Sequence, residues 1–519
     1  MNLAGDFLAS ASRYGKRPAL WVDGVEYNYS QLAGTVRDMA AWLRTRHAGI
    51  GSRVGILASR SVQAYAGILA ACWVGATYVP INIGLPVEAL RKLLKMIKPG
   101  ALVIDKRGLD ALAGLEWDMS TVFPPGNGAP SANGDGPDSS ARRSHAIPPL
   151  SPADEPQGVA PDDTAYIEFT SGSTGVPKGV MISVGALTHF LQIMQERYNL
   201  TPADRIAATS DITFDMSFFD MFMAWKTGAS LHVVPTTQRM APAKFIREKE
   251  ITAWFLGPAI ATIMWRMNLL TPGAFPCLRY SLFASEPLPL NSALAWQQAA
   301  PNGTVENLFG PTEATVVCIA EPLGEHPNVT PGRDFIAIGQ PLPGTEVAIL
   351  DPELNILPPG QTGQIALSGV QLAQGYFEDP GTTRRNFPVI GGKRWYLTGD
   401  LGCQDSSGAF HFLGRIDNQV KVLGHRVELE EVETHLREVC KSDMVGAVAW
   451  PLDHGSAQGL VAFISGTDRS PSEVKQAMEA RVLAHMVPKM VHVLPVLPLN
   501  TNGKVDRKAL RRLLTDDPA

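Results

Sequence analysis

Short apolar segments alternate with helical patterns through about the first hundred residues and again after Ala165, and this alternation constrains the fold more than any other feature of the sequence. The stretches "RVGILAS" and "ALVIDK" have the composition of buried strands, and residues 30–46 have the apolar spacing of an amphipathic helix. The same pattern continues with "SLHVVP", "AWFLGP" and "RYSLFAS". Strands that alternate with helices predict an α/β fold built on parallel sheets.

A chain of 519 residues is too long for one hydrophobic core, and its composition and residue pattern change along its length. Residues 123–163 are mostly Pro, Gly, Ser, Ala and Asp, which predicts a flexible surface insertion. At about 335–415 the pattern changes to short alternating strands separated by turns, which predicts a small β-subdomain. We therefore expect a large N-terminal domain of stacked α/β sheets, residues 1–416, followed by a small mobile α+β domain, residues 417–519.

Composition excludes several classes of protein. The net charge is −5 without a basic block, so we expect no nucleic-acid partner. The five cysteines are scattered and form no C-x-x-C pair, which predicts reduced thiols in a cytoplasmic protein. Residues 64–81 are uncharged and near membrane-spanning length, but the pattern breaks near Gly75. We interpret them as a buried helix followed by a buried strand, and we expect no membrane attachment.

The stretch "TSGSTGVPKG", residues 170–179, directly follows an apolar run. Glycines and hydroxyl side chains allow backbone N–H and side-chain O–H groups to close around phosphate oxygens, and Lys178 adds a positive charge. The spacing of a Walker A loop is missing. These residues alone are equally compatible with a phosphate-binding loop and with a plain surface loop.

Four further motifs follow in order, and together with this loop they change the interpretation. They are "NLFGPTEATVV" (307–317), "YLTGDLG" (396–402), "GRIDNQVKVLGHRVELEEVE" (414–433) and "LPLNTNGKVDRKAL" (497–510). The set resembles the core motifs of the adenylate-forming superfamily, and most closely those of amino-acid adenylation domains of nonribosomal peptide synthesis. The resemblance covers nearly the whole chain apart from the 123–163 insertion.

The resemblance implies a ligase reaction in two halves that uses ATP and Mg²⁺. A carboxylate attacks the α-phosphate of ATP to give an acyl-adenylate and pyrophosphate, and a phosphopantetheine thiol then takes the acyl group. Negative charge accumulates in both transition states, so cations and backbone donors are expected to supply most of the catalysis. The phosphates and pyrophosphate would be held by Thr170, Ser171, Ser173, Thr174 and Lys178.

The remaining nucleotide contacts are implied in the same way. Phe309 would stack on adenine, Thr312 would contact the α-phosphate, and Glu313 would bind Mg²⁺. Asp400, supported by Arg415, would accept hydrogen bonds from the ribose hydroxyls; the alternative is a surface salt bridge. Lys504 would lie between the substrate carboxylate and the α-phosphate, and its alternative is a solvated tail residue. The proposed catalytic residues are Lys504, Thr174, Glu313 and Lys421.

Asp417 occupies the position at which this family has its hinge. The C-terminal domain is expected to rotate there between the two half-reactions. One orientation would bring in Lys504 for adenylation, and the other would bring in the 418–426 loop with Lys421 for thiol transfer.

Asp215 lies in a largely apolar, aromatic stretch, "DITFDMSFFDMFMAW", which also contains Asp211 and Asp220. A lone buried carboxylate is costly unless it meets a cation, and in amino-acid-activating relatives this aspartate pairs with the substrate amino group. Its alternative role is a helix cap. The positions aligned with the side-chain pocket of the family carry no charge: Met216, Phe219, Phe255, Leu282, Ala284, Leu308, Val316 and Val317.

Such a pocket favours a small apolar amino acid. The pattern most resembles the free-standing L-proline–[peptidyl carrier protein] ligases, although Phe219 and Val317 depart from it, and alanine and short β-amino acids stay open. No carrier or condensation motif follows Lys504, so we expect a stand-alone monomer that loads a separate carrier protein in secondary-metabolite biosynthesis. Coenzyme A is the alternative acceptor. The alternative functions are an acyl- or aryl-CoA synthetase and a non-catalytic scaffold relative.

Overall fold

The structure is a computed structural model, and it describes residues 1–123, 155–171, 177–453, 456–500 and 505–515. The α/β fold is confirmed, with two large sheets in the N-terminal part of the chain. Most of the predicted insertion at 123–163 lies outside the described residues. Among the described residues, no helix is long and apolar enough to cross a membrane.

The larger sheet has nine strands, of which the central six are parallel. Its order is Gln340–Pro341, Ile319–Pro322, Thr304–Phe309, Tyr280–Phe283, Ala253–Leu256, Arg205–Ala208, Ser230–Val233, Pro18–Val22 and Val25–Asn28. The last strand and the first two run antiparallel to their neighbours. The stretches "SLHVVP", "AWFLGP" and "RYSLFAS" are all strands of this sheet, as predicted.

The second sheet has seven strands, and the phosphate-loop candidate connects two of them. Its order is Gly375–Tyr376, Lys178–Ser183, Thr164–Thr170, Thr77–Pro80, Arg53–Leu57, Ala101–Ile104 and Val122–Phe123. The uncharged stretch at 64–81 contains the helix Val62–Trp73 and the strand Thr77–Pro80, as predicted. The Ser61 hydroxyl accepts a hydrogen bond from the Ala64 N–H at the start of this helix, and Gly75 reverses the chain with a φ of 75°.

Helices connect and cover both sheets. They are Leu3–Tyr14, Tyr29–Thr45, Val62–Trp73, Val87–Ile97, Lys106–Leu112, Val184–Tyr198, Met216–Thr227, Ala243–Glu248, Pro258–Arg266, Leu290–Ala299 and Pro380–Asn386, with 3₁₀ turns at Met119–Thr121, Thr236–Gln238 and Thr312–Ala314. The helix predicted at 30–46 spans Tyr29–Thr45 and begins with a capping box between Asn28 and Gln31.

A four-stranded antiparallel sheet follows the two large ones. Its strands are Thr345–Leu350, Gly363–Gly369, Tyr396–Gln404 and Phe410–Arg415, with a small ribbon of Val389–Ile390 and Lys393–Arg394. These are the alternating segments that predicted a β-rich region.

The C-terminal part is a mixed α and β unit. One sheet contains His425–Glu428, Gln419–Val422, Ser456–Ala457 and Leu452–Asp453, and another contains Val445–Ala449, Leu460–Ile464 and Met490–Val493. Its helices are Leu429–Cys440, Pro471–Glu479 and Arg507–Thr515, with a 3₁₀ turn at Ala484–Met486. Its two hydrophobic clusters use only residues 420–514, while the other clusters of described residues use only residues 3–412.

Candidate active site

A cavity of about 790 Å³ lies where the strand ends of the large sheets face the C-terminal unit. Two segments of its wall come directly after parallel strands in the sequence. Residues 284–287 follow Tyr280–Phe283, and residues 310–312 follow Thr304–Phe309. Ligands of open α/β sheets bind at the carboxyl ends of strands, so the location is the expected one. The predicted site residues that line it are Thr170, Ser171, Asp215, Met216, Ala284, Leu308, Phe309, Thr312, Val316, Asp400, Arg415 and Lys421.

The phosphate-loop candidate connects the antiparallel strands Thr164–Thr170 and Lys178–Ser183. The Ser171 hydroxyl donates a hydrogen bond to the Arg426 carbonyl at 2.9 Å, and the Lys178 ammonium lies 6.0 Å from the centre of the Tyr376 ring. Ser171 and Pro177, on either side of the loop, both line the cavity. Ser173 and Thr174, within the loop, and Lys504, near the C-terminus, lie outside the described residues.

Asp215 immediately precedes the helix Met216–Thr227, yet its side chain makes no capping hydrogen bond. It accepts a hydrogen bond from the Thr312 hydroxyl at 2.8 Å instead. Burial raises the pKa of Asp215 to about 6, while the Thr312 hydrogen bond and the charge of Lys421 oppose the rise. The Asp215 carboxylate therefore does not cap the helix. It lines the cavity, and with this pKa it is ionised at neutral pH.

The eight predicted pocket residues fall into two layers. Met216, Ala284, Leu308 and Val316 line the cavity beside Asp215. The other four are buried in the adjacent core: Phe219, Phe255, Leu282 and Val317. The rings of Phe219 and Phe255 pack edge to face with centroids 5.3 Å apart, which gives this end of the cavity a rigid apolar backing.

Glu313 is fully buried, and its carboxylate is paired with a cation from the C-terminal unit. Both carboxylate oxygens accept from Arg426 Nη1, at 3.3 and 3.2 Å, and Oε1 also accepts from the Tyr376 hydroxyl at 2.8 Å. Burial raises the pKa of Glu313, but the Arg426 charge and the hydrogen bonds outweigh burial and leave the pKa below its usual value. An ionised, cation-binding carboxylate fits the oxygen ligand that Mg²⁺ requires.

Asp400 and Arg415 form an ion pair in the cavity wall rather than on the surface. Asp400 is 7% exposed and accepts from Arg415 Nη1 at 2.7 Å. The same guanidinium holds both oxygens of Asp417 at 2.9 and 2.6 Å. Burial raises the pKa of Asp400, and Arg415 offsets only part of the rise. Arg415 therefore connects the predicted ribose-binding carboxylate to the predicted hinge residue.

Lys421 and Arg426 project from what we call the C-terminal hairpin, the antiparallel strands Gln419–Val422 and His425–Glu428, in which these two residues are paired. Both side chains line the cavity. Burial lowers the pKa of Lys421, the Arg426 charge lowers it further, and Asp400, Asp215 and Glu286 act in the opposite direction. The hairpin thus brings two cations to a cavity whose other walls carry carboxylates.

Several cavity residues were missed by the sequence analysis. Arg426 belongs to a quoted motif but received no role, and its partner Glu313 is 113 residues away. Glu168 interrupts the apolar strand "TAYIEFT". An acidic residue in a buried strand indicates a candidate site residue, but the sequence analysis assigned Glu168 no role. No sequence signal pointed to the helix Val87–Ile97 or to residues 480–486, which also line the cavity, because their approach depends on the tertiary fold.

Comparison with known proteins shows the family to which the chain belongs. The profile of a family described as AMP-binding enzyme matches residues 7–377. Enterobactin synthase component F of Escherichia coli (strain K12) is 32% identical over 519 residues, which is 96% of this chain and 38% of that protein. Tyrocidine synthase 2 of Brevibacillus parabrevis is 30% identical over 511 residues, 96% of this chain and 13% of that protein. The chain therefore spans less than half the length of these curated relatives.

A solved structure covers nearly the whole chain. The adenylation domain AlmE of Vibrio cholerae, in complex with glycyl-adenosine-5'-phosphate, has a TM-score of 0.86 and 29% identity. The match covers 99% of this chain and 98% of AlmE.

Proposed function

We propose that this chain, which belongs to the AMP-binding enzyme family and is an amino-acid adenylation domain of the nonribosomal peptide synthetase type, activates a small apolar amino acid, with L-proline the first candidate. The observation that carries this proposal is Asp215, a carboxylate that faces the cavity, leaves its helix uncapped and lies beside apolar side chains. The ammonium group of an amino acid matches the Asp215 carboxylate, and its side chain matches the apolar end of the cavity. Its carboxylate group would lie toward the nucleotide.

The first half-reaction joins the substrate carboxylate to the α-phosphate of ATP. In our proposal Phe309 stacks on adenine, Asp400 accepts from the ribose hydroxyls, and the loop at 170–178 surrounds the leaving pyrophosphate. Glu313 holds Mg²⁺, which neutralises phosphate charge when bound. Lys504 supplies a further cation beside the reacting oxygens.

The substrate side chain would occupy the space lined by Met216, Ala284, Leu308 and Val316. The buried Phe219–Phe255 pair behind this layer limits its depth, because well-packed aromatic rings do not yield without cost. These four side chains are apolar, so a polar substrate side chain beside them would lose its hydrogen bonds to water. Proline, alanine and short β-amino acids satisfy these limits.

The second half-reaction requires a thiol to reach the adenylate. The cavity wall continues along Leu93 and Met96 and along Val482 and Leu483, and its rim includes the exposed Arg481. Such a passage between the two parts of the chain suits a phosphopantetheine arm, and we propose a separate carrier protein as its source. Lys421, at the inner end, would neutralise charge while the thioester forms.

The experiment that tests this function is amino-acid-dependent ATP–pyrophosphate exchange. The panel contains proline, alanine, β-alanine, 3-aminobutyrate, valine, phenylalanine and cyclopentanecarboxylate, which is the desamino counterpart of proline. We expect a strong response to one small apolar amino acid and a much weaker, still measurable response to cyclopentanecarboxylate. Exchange driven only by acids that lack an amino group would assign the chain to the acyl- or aryl-activating enzymes instead.

A further inference from the structure

Glu168 lines the same cavity as Asp215 and has no role in the reaction described so far. It lies on the strand Thr164–Thr170, two residues before the phosphate loop begins, and it is only 5% exposed. Its Oε2 atom is shielded from solvent and has no hydrogen-bond partner among the described residues. A buried carboxyl oxygen without a donor is costly, so its retention calls for an explanation.

The surroundings of Glu168 are acidic and aromatic. The Asp215 backbone N–H is hydrogen-bonded to it, and the carboxylates of Asp215 and Glu313 act on it from two other elements. The phenols of Tyr166 and Tyr78 also lie close enough to interact, and neither hydroxyl has a partner among the described residues. Burial and the charge of Asp215 raise the pKa of Glu168 well above its usual value.

Two cations that line the cavity interact with other carboxylates. Arg426 binds Glu313, and Lys421 acts on Asp215, Asp400 and Glu286. Within the described part of the chain, Glu168 forms no ion pair. A bound ligand with a positive charge would give Glu168 the partner that it lacks among the described residues.

We propose that Glu168 is a second specificity-determining residue of the amino-acid site, which accepts a hydrogen bond from the same substrate ammonium group that Asp215 binds. This inference rests on the proposed function. A secondary ammonium group, as in proline, carries two N–H donors, one for each carboxylate, and a primary ammonium group carries three. Two acceptors fix the orientation of the ammonium group, which one carboxylate alone leaves free to rotate.

The test compares Glu168→Gln with the parent protein. Glutamine keeps the size of the side chain but cannot ionise beside a bound ammonium group. We measure kcat and KM in pyrophosphate exchange for the preferred amino acid, for its desamino counterpart and for ATP. The variant is expected to raise the KM for the amino acid about tenfold or more, as for a lost charge-assisted hydrogen bond, with the KM for ATP unchanged. The ratio of kcat/KM for the amino acid to that for the desamino acid should fall by the same factor.

Two controls separate this role from a structural one. Glu286→Gln removes another buried cavity carboxylate and should keep the parent's selectivity ratio, while Glu168→Asp keeps the carboxyl group but shortens the side chain and should lower the ratio less than Glu168→Gln does. A parent-like ratio in Glu168→Gln, or equal losses for both acids, overturns the inference. A Glu168→Gln protein that does not fold leaves the test to Glu168→Asp, for which a ratio unaffected by the shortened side chain counts against the proposed contact. If the parent itself shows no amino-acid-dependent exchange, the proposed function fails first.

Discussion

Burial raises the pKa of Asp215 to about 6, and the hydrogen bond from Thr312 and the charge of Lys421 act against that rise. Because the pKa in the folded protein is above the ordinary value for aspartate, ionising this side chain costs stability as the pH rises through about 4 to 6. A bound ammonium group would offset this loss of stability by pairing with the ionised carboxylate. At the scale of single residues, affinity for the amino acid and the protonation of Asp215 are therefore linked.

The link predicts a pH dependence. Only the ionised form of Asp215 can pair with an ammonium group, so kcat/KM for the amino acid should fall about tenfold per pH unit below pH 6 and level off above it. Pyrophosphate exchange at saturating ATP, measured from pH 5 to 8, checks this. The matched control, Asp215→Asn, should be slow at every pH without that decline. A parent profile that stays flat down to pH 5 would remove Asp215 from the amino-acid site.

At the scale of elements, the C-terminal hairpin is held at the cavity by two polar contacts. Ser171 donates to the Arg426 carbonyl, and the Arg426 side chain pairs with the buried Glu313. Removing one partner of a buried ion pair typically costs about 3 to 5 kcal/mol, because the other charge stays buried. If Glu313 also binds Mg²⁺, then Arg426 and the metal ion are alternative partners of one carboxylate. Docking of the hairpin and binding of the metal ion then compete for Glu313.

This competition predicts a separation of the two half-reactions in Arg426→Gln. Pyrophosphate exchange should be retained, with less Mg²⁺ needed for half-maximal rate, because the carboxylate no longer has a protein cation. Transfer of the aminoacyl group from preformed adenylate to added pantetheine should slow at least tenfold, because the hairpin is no longer anchored.

The matched control for Arg426→Gln is Arg437→Gln, which removes an arginine of the same unit whose partner Glu433 lies on its own helix. It should leave both rates near the parent values. Equal loss of both half-reactions in Arg426→Gln would refute a role specific to the hairpin.

At the scale of the whole molecule, hydrophobic packing separates residues 3–412 from residues 420–514 in the described chain. The contacts between these parts include two polar ones, from Ser171 to the Arg426 carbonyl and from Arg426 to Glu313, and polar contacts are typical of an interface that opens and closes. This supports the proposed boundary at residues 416 and 417, with Asp417 as the hinge.

The separation predicts that residues 1–416 fold without the remainder. The fragment should melt cooperatively and bind a non-hydrolysable aminoacyl-adenylate mimic in calorimetry, yet fail to form a thioester with pantetheine. A fragment that ends at residue 394 lacks the strands Tyr396–Gln404 and Phe410–Arg415 and should not fold. An insoluble or non-cooperative 1–416 fragment would place the boundary elsewhere.

The sequence predicted what depends on local pattern. Strands such as Arg53–Leu57 and the helix Tyr29–Thr45 follow from apolar spacing and caps, and the cavity residues near Asp215, Thr312 and Asp400 follow from motifs. It did not predict the partners of those residues. The pairing of Glu313 with Arg426 joins distant segments through the relative orientation of two folded units, which no local pattern records.

The measurement that tests the central claim most directly is a comparison of two proteins with two substrates. Parent and Asp215→Asn are each assayed in pyrophosphate exchange with the preferred amino acid and with its desamino counterpart. We predict that the substitution lowers kcat/KM for the amino acid by about a hundredfold while leaving that for the desamino acid unchanged or higher, since the lost interaction is a charge-assisted hydrogen bond to the ammonium group. An equal loss for both acids would contradict the account, because Asp215 would then not recognise the amino group.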